Sequence, residues 1–172
     1  MAFWFTADTH FGHENIIKYC NRPFKDADEM NDVLINNWNE QVAEDDTIFH
    51  LGDLCFKKFH RGKDIVTEEL NGNIILIKGN HDKKQSIKTI IDSIIIKYNG
   101  HRIYLTHYPE LGNHLMLTLA GHVHEKWKIN YITNSHGKRV GFPIVNVGVD
   151  VWDFKPISLE EIFAFIYTKE DR

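Results

Sequence analysis

Five short apolar, β-prone runs in this chain end in a carboxylate, an amide or an imidazole, and that repetition constrains the fold more than any other feature. The runs Ala2–Ala7, Thr47–Leu51, Asn73–Lys78, Arg102–Thr106 and Leu115–Ala120 lead into Asp8-Thr9-His10, Gly52-Asp53, Gly79-Asn80-His81-Asp82, His107 and Gly121-His122-Val123-His124. Side chains of an extended segment alternate between faces, so Asp8 and His10 share one side, and so do His122 and His124. Three of the endings open with glycine, where a strand turns sharply and its backbone approaches a ligand. Strand ends that converge on one edge are where α/β folds build their sites.

The intervening residues supply the rest of the architecture. Further strands are expected at Ile94–Tyr98 and Ile144–Val149, with Asn99-Gly100 as a two-residue hairpin turn. From Asp28 to Val42 the apolar residues Met30, Val33, Leu34, Trp38 and Val42 form a stripe of helical period. Asp64 to Leu70 is a shorter helical candidate. Ser158-Leu159-Glu160-Glu161 reads as a capping box that opens a last helix with Ile162, Phe165 and Ile166. Helices alternate with strands early and strands dominate late. That order predicts an α/β sandwich around mixed sheets and argues against an all-parallel doubly wound fold. With 172 residues, no repeat and no linker-like tract, residues 1–172 are expected to form one domain.

Composition excludes several classes. A net charge of -4 gives no general affinity for nucleic acid or an anionic membrane. Cys20 and Cys55 lack the spacing of a disulfide framework or a cysteine zinc site. There is no apolar run of membrane-spanning length and no leader-like opening, so no membrane partner is expected and the expected setting is cytoplasmic. Eleven histidines are in excess of ordinary needs, and imidazole is the commonest metal ligand.

Asp8, Asp53, Asn80, His10, His107, His122 and His124 together offer two carboxylates, one amide oxygen and four imidazoles. Four such groups satisfy one tetrahedral zinc ion. Seven suit two ions, provided that one carboxylate bridges. Two metals about 3.5–4 Å apart clamp the attacking and leaving oxygens of an in-line displacement at phosphorus. His81 is then left over as a catalytic imidazole, with neighbouring Asp82 to orient its ring.

The ordered motifs Asp8-Thr9-His10, Gly52-Asp53, Gly79-Asn80-His81-Asp82, His107 and Gly121-His122-Val123-His124 resemble those of the calcineurin-like metallophosphoesterase family. The resemblance spans residues 8 to 124 and no motif position is substituted. It implies a four-layer α/β/β/α sandwich with a dinuclear centre between the sheets. It further implies that one ion takes Asp8, His10, Asp53 and His124, and the other takes Asp53, Asn80, His107 and His122, with Asp53 bridging. The counterpart of His81 in the family assists the departing oxygen. The expected cofactors are two divalent ions, Mn²⁺ first, with Fe, Zn²⁺ or Ni²⁺ as alternatives.

Substrate signals are thinner. Lys57, Lys58, Arg61, Lys63, Lys83, Lys84, Lys126 and Lys128 follow the motifs and would draw an anionic substrate. Arg22 is a candidate for bidentate contact with phosphate, and Phe56, Phe59, Trp127 and Trp152 are candidates for stacking on a base. The expected substrate is a small phosphomonoester or phosphodiester, a nucleotide or nucleic-acid phosphate in preference to a phosphoprotein. The oligomeric state is open. His50, inside a strand, reads as a packed residue, His60, His101, His114 and His136 as surface, and His13 as a neighbour of the ligand loop. Asn146 to Trp152 reads as strand and turn, with Asp150 and Trp152 lining the mouth of the site as the alternative. Two rivals stand beside this reading. One is a non-catalytic scaffold on the same fold that binds a partner protein. The other is a metallo-β-lactamase-like hydrolase, whose H-x-H-x-D-H run is missing here.

Overall fold

The computed structural model of the protein describes residues 1–56, 65–82 and 88–170. Its first sheet grows from runs that are apolar on both faces, as parallel strands buried between layers require. Strands β1 (Phe3–Thr6), β2 (Thr47–His50) and β3 (Asn73–Leu76) pair in parallel, with Phe5 opposite Phe49 and Phe49 opposite Ile75. One face of this sheet carries Trp4, Ile48, Ile74 and Leu76 and meets helices α1 (Glu14–Tyr19) and α2 (Ala27–Gln41). The α2 stripe of Met30, Leu34, Ile35 and Trp38 is buried there. Asp26 caps α2 by accepting from the Glu29 amide at 2.9 Å.

The second sheet contains β4 (Ser93–Tyr98), β5 (His101–Thr106), β6 (Leu117–Ala120), β7 (Ile129–Asn130) and β8 (Ile144–Asn146) in the order β4-β5-β6-β8-β7. The expected hairpin is present between β4 and β5: Asn99 and Gly100 take φ of 47° and 82°, the left-handed pair that a tight two-residue turn demands. Ile103, Leu105, Leu117, Leu119 and Val145 of this sheet share one apolar core with Phe5, Ala7, Phe49, Leu51 and Ile77. Strand β9 (Ile157–Ser158) adds antiparallel to β1 and runs directly into α3 (Leu159–Glu170). Leu159, Ile162 and Ile166 join the same core. The capping box forms as expected, with Ser158 N donating to Glu161 and Glu161 N donating to Ser158 Oγ.

The architecture is therefore the expected α/β sandwich of two mixed sheets. The differences are local. α1, β7 and β9 are too short to show a period. Residues Ile65–Glu69 form a π-helical turn. The strand expected over Ile144–Val149 stops at Asn146, and Val149–Val151 curls into a 3-10 turn. There the chain crosses between sheets: Val147 N donates to Ala120 O of the second, and Val149 N to Ala7 O beside the first. Because β1, β2, β3, β5, β6 and β8 run parallel within their sheets, the five motif-bearing strand ends reach one end of the sandwich.

Candidate metal centre

The chain turns abruptly at the ends of three of the five motif strands. Asp8, His10, Asp53, His122 and His124 all have left-handed backbones, with φ of 59°, 51°, 58°, 73° and 49°. They are five of the nine described non-glycine residues in that region, which costs an L-residue about 1 kcal/mol or more. Strain concentrated this way marks a functional edge. The motif glycines let the loops close on one another: a Cβ on Gly121 would lie 2.7 Å from Asp8 Oδ2, and one on Gly79 would collide with the Asp53 carboxylate.

The folded chain brings the candidate ligands together. Asp8, His10 and His124 form one group with ligand-competent atoms within 4.8 Å of one another, and Asp8, Asp53 and His107 form a second. Asp53 Oδ2 lies 3.6 Å from His10 Nε2 and 3.5 Å from His107 Nε2. Burial keeps the His10 pKa well below the ordinary value, with the neighbouring His124 acting the same way, so the His10–Asp53 approach is not an ion pair. Its length is also beyond a hydrogen bond. Asn80 Oδ1 is 3.1 Å from His107 Nε2. The His122 ring centroid is 5.1 Å from that of His107, and its backbone N–H donates to Asp8 Oδ2 at 2.9 Å.

Two atoms test whether a cation fits. Asp8 Oδ1 and His10 Nε2 are buried and have no hydrogen-bond partner. Such atoms cost several kcal/mol unless something compensates them. Burial raises the carboxyl pKa of both Asp8 and Asp53 to about 6. Oxygen and imidazole donors around orphaned, reluctantly charged carboxylates are what a divalent ion satisfies. The set fits.

Behind the ligands stand atoms that aim them. His107 Nδ1 lies 2.7 Å from Leu51 O, which leaves Nε2 facing Asp53 and Asn80. Asp82 was expected to orient the His81 ring. Its carboxylate instead accepts from Asp53 N at 2.8 Å, Leu54 N at 3.2 Å and Gly79 N at 2.7 Å, and so ties two ligand loops together. His81 stands half-exposed at the mouth with Nε2 4.0 Å from Asp53 Oδ2, while its backbone N–H donates to Asp53 Oδ1. Its ring lies edge-on to His10.

Arg22 requires a correction. It was expected to reach a phosphate, but its side chain is wholly enclosed, and its fork grips Asp150 while its remaining donors meet the Asp8 and Thr9 carbonyls. Asp150, read from sequence as part of a strand and turn with a place at the mouth as the alternative, meets His124 instead. Its Oδ2 lies 3.0 Å from His124 Nδ1. Burial opposes protonation of His124, yet the hydrogen bonds that its ring donates to Asp150 and Cys20, with the Asp8 charge, outweigh it and push its pKa up to about 10. Asp150 and Cys20 carry no local motif, so only the tertiary fold could reveal them.

A cleft of about 310 Å³ is lined by His10, His81 and His124 together with Ile16, Tyr19, Glu125 and Lys126. His13 lines it too, stacked flat on Phe56 with centroids 4.0 Å apart. Phe56 thus supports a histidine. Trp152 lies under the Lys128 ammonium and donates to Asn146 O, and Trp127 lines a separate cavity of about 510 Å³ that holds none of the ligand candidates. Phe59, His60, Lys57, Lys58, Arg61, Lys63, Lys83 and Lys84 lie outside the described residues. His50 is fully buried, 2.9 Å from Thr9 Oγ1, as a packed residue should be, and His101, His114 and His136 are exposed. Among the described residues, no helix is long and apolar enough to cross a membrane.

Residues 1–149 match the model of the calcineurin-like phosphoesterase superfamily domain. The uncharacterized protein MJ1445 of Methanocaldococcus jannaschii is 39% identical over 166 residues, covering 93% of this chain and 88% of its own. The Gene 66 protein of Mycobacterium phage L5 is 22% identical, over 95% and 93% of the two chains. Among solved structures, the protein of unknown function AQ665 from Aquifex aeolicus superposes with a TM-score of 0.70 at 31% identity, over 95% of this chain and 98% of that one.

Proposed function

This chain belongs to the calcineurin-like phosphoesterase superfamily, and on that premise we propose that it hydrolyses a phosphoester using two divalent cations held at the strand ends. The observation that carries the reading is Asp53 Oδ2, which sits about equally far from His10 Nε2 and His107 Nε2 at 3.6 and 3.5 Å. A carboxylate oxygen so placed can serve two ions at once. In this reading Asp8, His10, Asp53 and His124 hold one cation, and Asp53, Asn80, His107 and His122 hold the other. When bound, the pair supplies Lewis acidity toward the phosphoryl oxygens and lowers the pKa of coordinated water. The mixed oxygen and nitrogen donors suit Mn²⁺, with Fe, Zn²⁺ or Ni²⁺ as alternatives.

The chain's own residues do the rest. The half-exposed His81 delivers a proton from its imidazole to the departing ester oxygen. Asn80 orients a phosphoryl oxygen beside His107. Lys126 at the cleft draws an anion toward the centre. Ile16 and Tyr19 offer an apolar wall to the esterified group, and the cleft's volume suits a small molecule such as a nucleotide better than a phosphoprotein. The whole chain is read as one catalytic domain working in the cytoplasm.

The test is hydrolysis of an aryl phosphodiester and an aryl phosphomonoester by metal-stripped protein refilled with Mn²⁺, beside His81→Ala. Turnover should require metal and should fall by about 10²–10⁴-fold in the variant, as loss of a general acid does. The preferred ester would define the substrate class. Two tightly bound ions without turnover on either ester would point to a narrow natural substrate or to the partner-binding scaffold.

A further inference from the structure

We propose that Arg22 and Asp150 form a brace that positions His124, and with it the Asp8–His10–His124 side of the metal centre. This rests on the dinuclear reading above and assigns the two residues a positioning role in it.

The brace runs through three consecutive links. Arg22 Nη2 donates to Asp8 O at 2.7 Å and Nη1 to Thr9 O at 3.1 Å, so the guanidinium holds the backbone that presents Asp8 and His10. The same guanidinium binds Asp150 in a two-point fork, Nε to Oδ1 at 2.8 Å and Nη2 to Oδ2 at 2.9 Å. Asp150 Oδ2 then meets His124 Nδ1 at 3.0 Å. Residues 8, 22, 124 and 150 come from distant parts of the sequence, and this chain of bonds joins them.

Three features suit this arrangement to positioning. The fork is planar and bidentate, so it fixes direction as well as distance. A carboxylate on Nδ1 fixes the ring's orientation and, once a cation displaces the other ring proton, holds the imidazole in a ligating tautomer. Asp8, His10 and His124 all sit in left-handed backbone conformations that need outside support. The brace is also one-sided. The His107 side has its own ties, to Leu51 O and through Asp82 to the Asp53 and Gly79 loops.

One-sidedness separates this role from plain structural support. In full-length, metal-stripped protein titrated with Mn²⁺ by calorimetry, the wild type should show two tight sites. Asp150→Asn and Arg22→Lys should each weaken one site by about 10–100-fold, the usual effect of losing a ligand's outer partner, and leave the other unchanged. In a His124→Ala background, Asp150→Asn should add no further loss, because its effect passes through that ring. Arg22→Lys preserves the buried charge and serves where Asp150→Asn fails to fold. Equal weakening of both sites, or a lowered thermal midpoint with both affinities intact, would overturn the brace. Fewer than two tight sites in the wild type would overturn the dinuclear reading itself.

Discussion

The two ends of the same parallel strands are built on opposite rules. At the helix-backed end and middle, Phe5, Phe49 and Ile48 are almost fully buried and contribute packing alone, and Trp38 of α2 packs there too, its indole N–H donating to Asn71 O at 2.9 Å. Within a few residues beyond, the chain reaches buried carboxylates, orphaned polar atoms and left-handed turns. The first region makes the fold stable enough for the second to be held in an arrangement that the isolated chain would avoid. The contrast teaches that the strand-end edge is organised against local preference, an arrangement that the proposed cations would reconcile.

Substitutions in the two regions should therefore move stability in opposite directions. The largest effect is expected in the packed region. Trp38→Ala empties a fully buried site and should destabilise by about 3–5 kcal/mol in a denaturant titration. At the ligand edge, Asp8→Asn should stabilise the metal-stripped protein at pH 8 while destroying tight metal binding. The sign follows from its folded pKa of about 6 against 3.8: the ionised form is disfavoured in the fold, so stability from this group is lost as pH rises through that window. Removing the charge recovers on the order of 2–3 kcal/mol.

His50 sharpens the comparison from the packed side. Burial, helped by the His107 charge, lowers its pKa from 6.5 to about 3. The unfolded chain binds the extra proton between those values, so stability should fall as pH drops from 6.5 toward 3. This one group gives a slope of up to about 1.4 kcal/mol per pH unit. His50→Gln should flatten that slope in acid titrations followed by circular dichroism. The smallest effect belongs to the surface. Ser158→Ala breaks the capping box of α3 and should cost about 1 kcal/mol, with metal affinity unchanged.

The strands, the long helix, the hairpin and the capping box were legible because each writes its own period or turn chemistry into neighbouring residues. The convergence of the candidate ligands was legible for a related reason: Asp8, Asp53, Asn80, His107 and His124 each follow a strand that the sequence reveals. The contacts that Arg22, Asp82 and Asp150 make were not legible. Arg22 looked like a substrate contact because an arginine near a phosphoester site often is one, and nothing local announces a partner 128 positions away. Asp82 stands beside His81 in the chain, yet its carboxylate turns to the Asp53 and Gly79 amides. The two-residue strands β7 and β9 exist only because a longer neighbour accepts them.

The central claim is tested most directly by electron paramagnetic resonance of metal-stripped protein loaded with two equivalents of Mn²⁺. The account predicts a magnetically coupled Mn²⁺ pair bridged through Asp53, and loss of that coupling in Asp53→Ala. A spectrum of isolated ions only, or a coupled pair that survives Asp53→Ala, would contradict it.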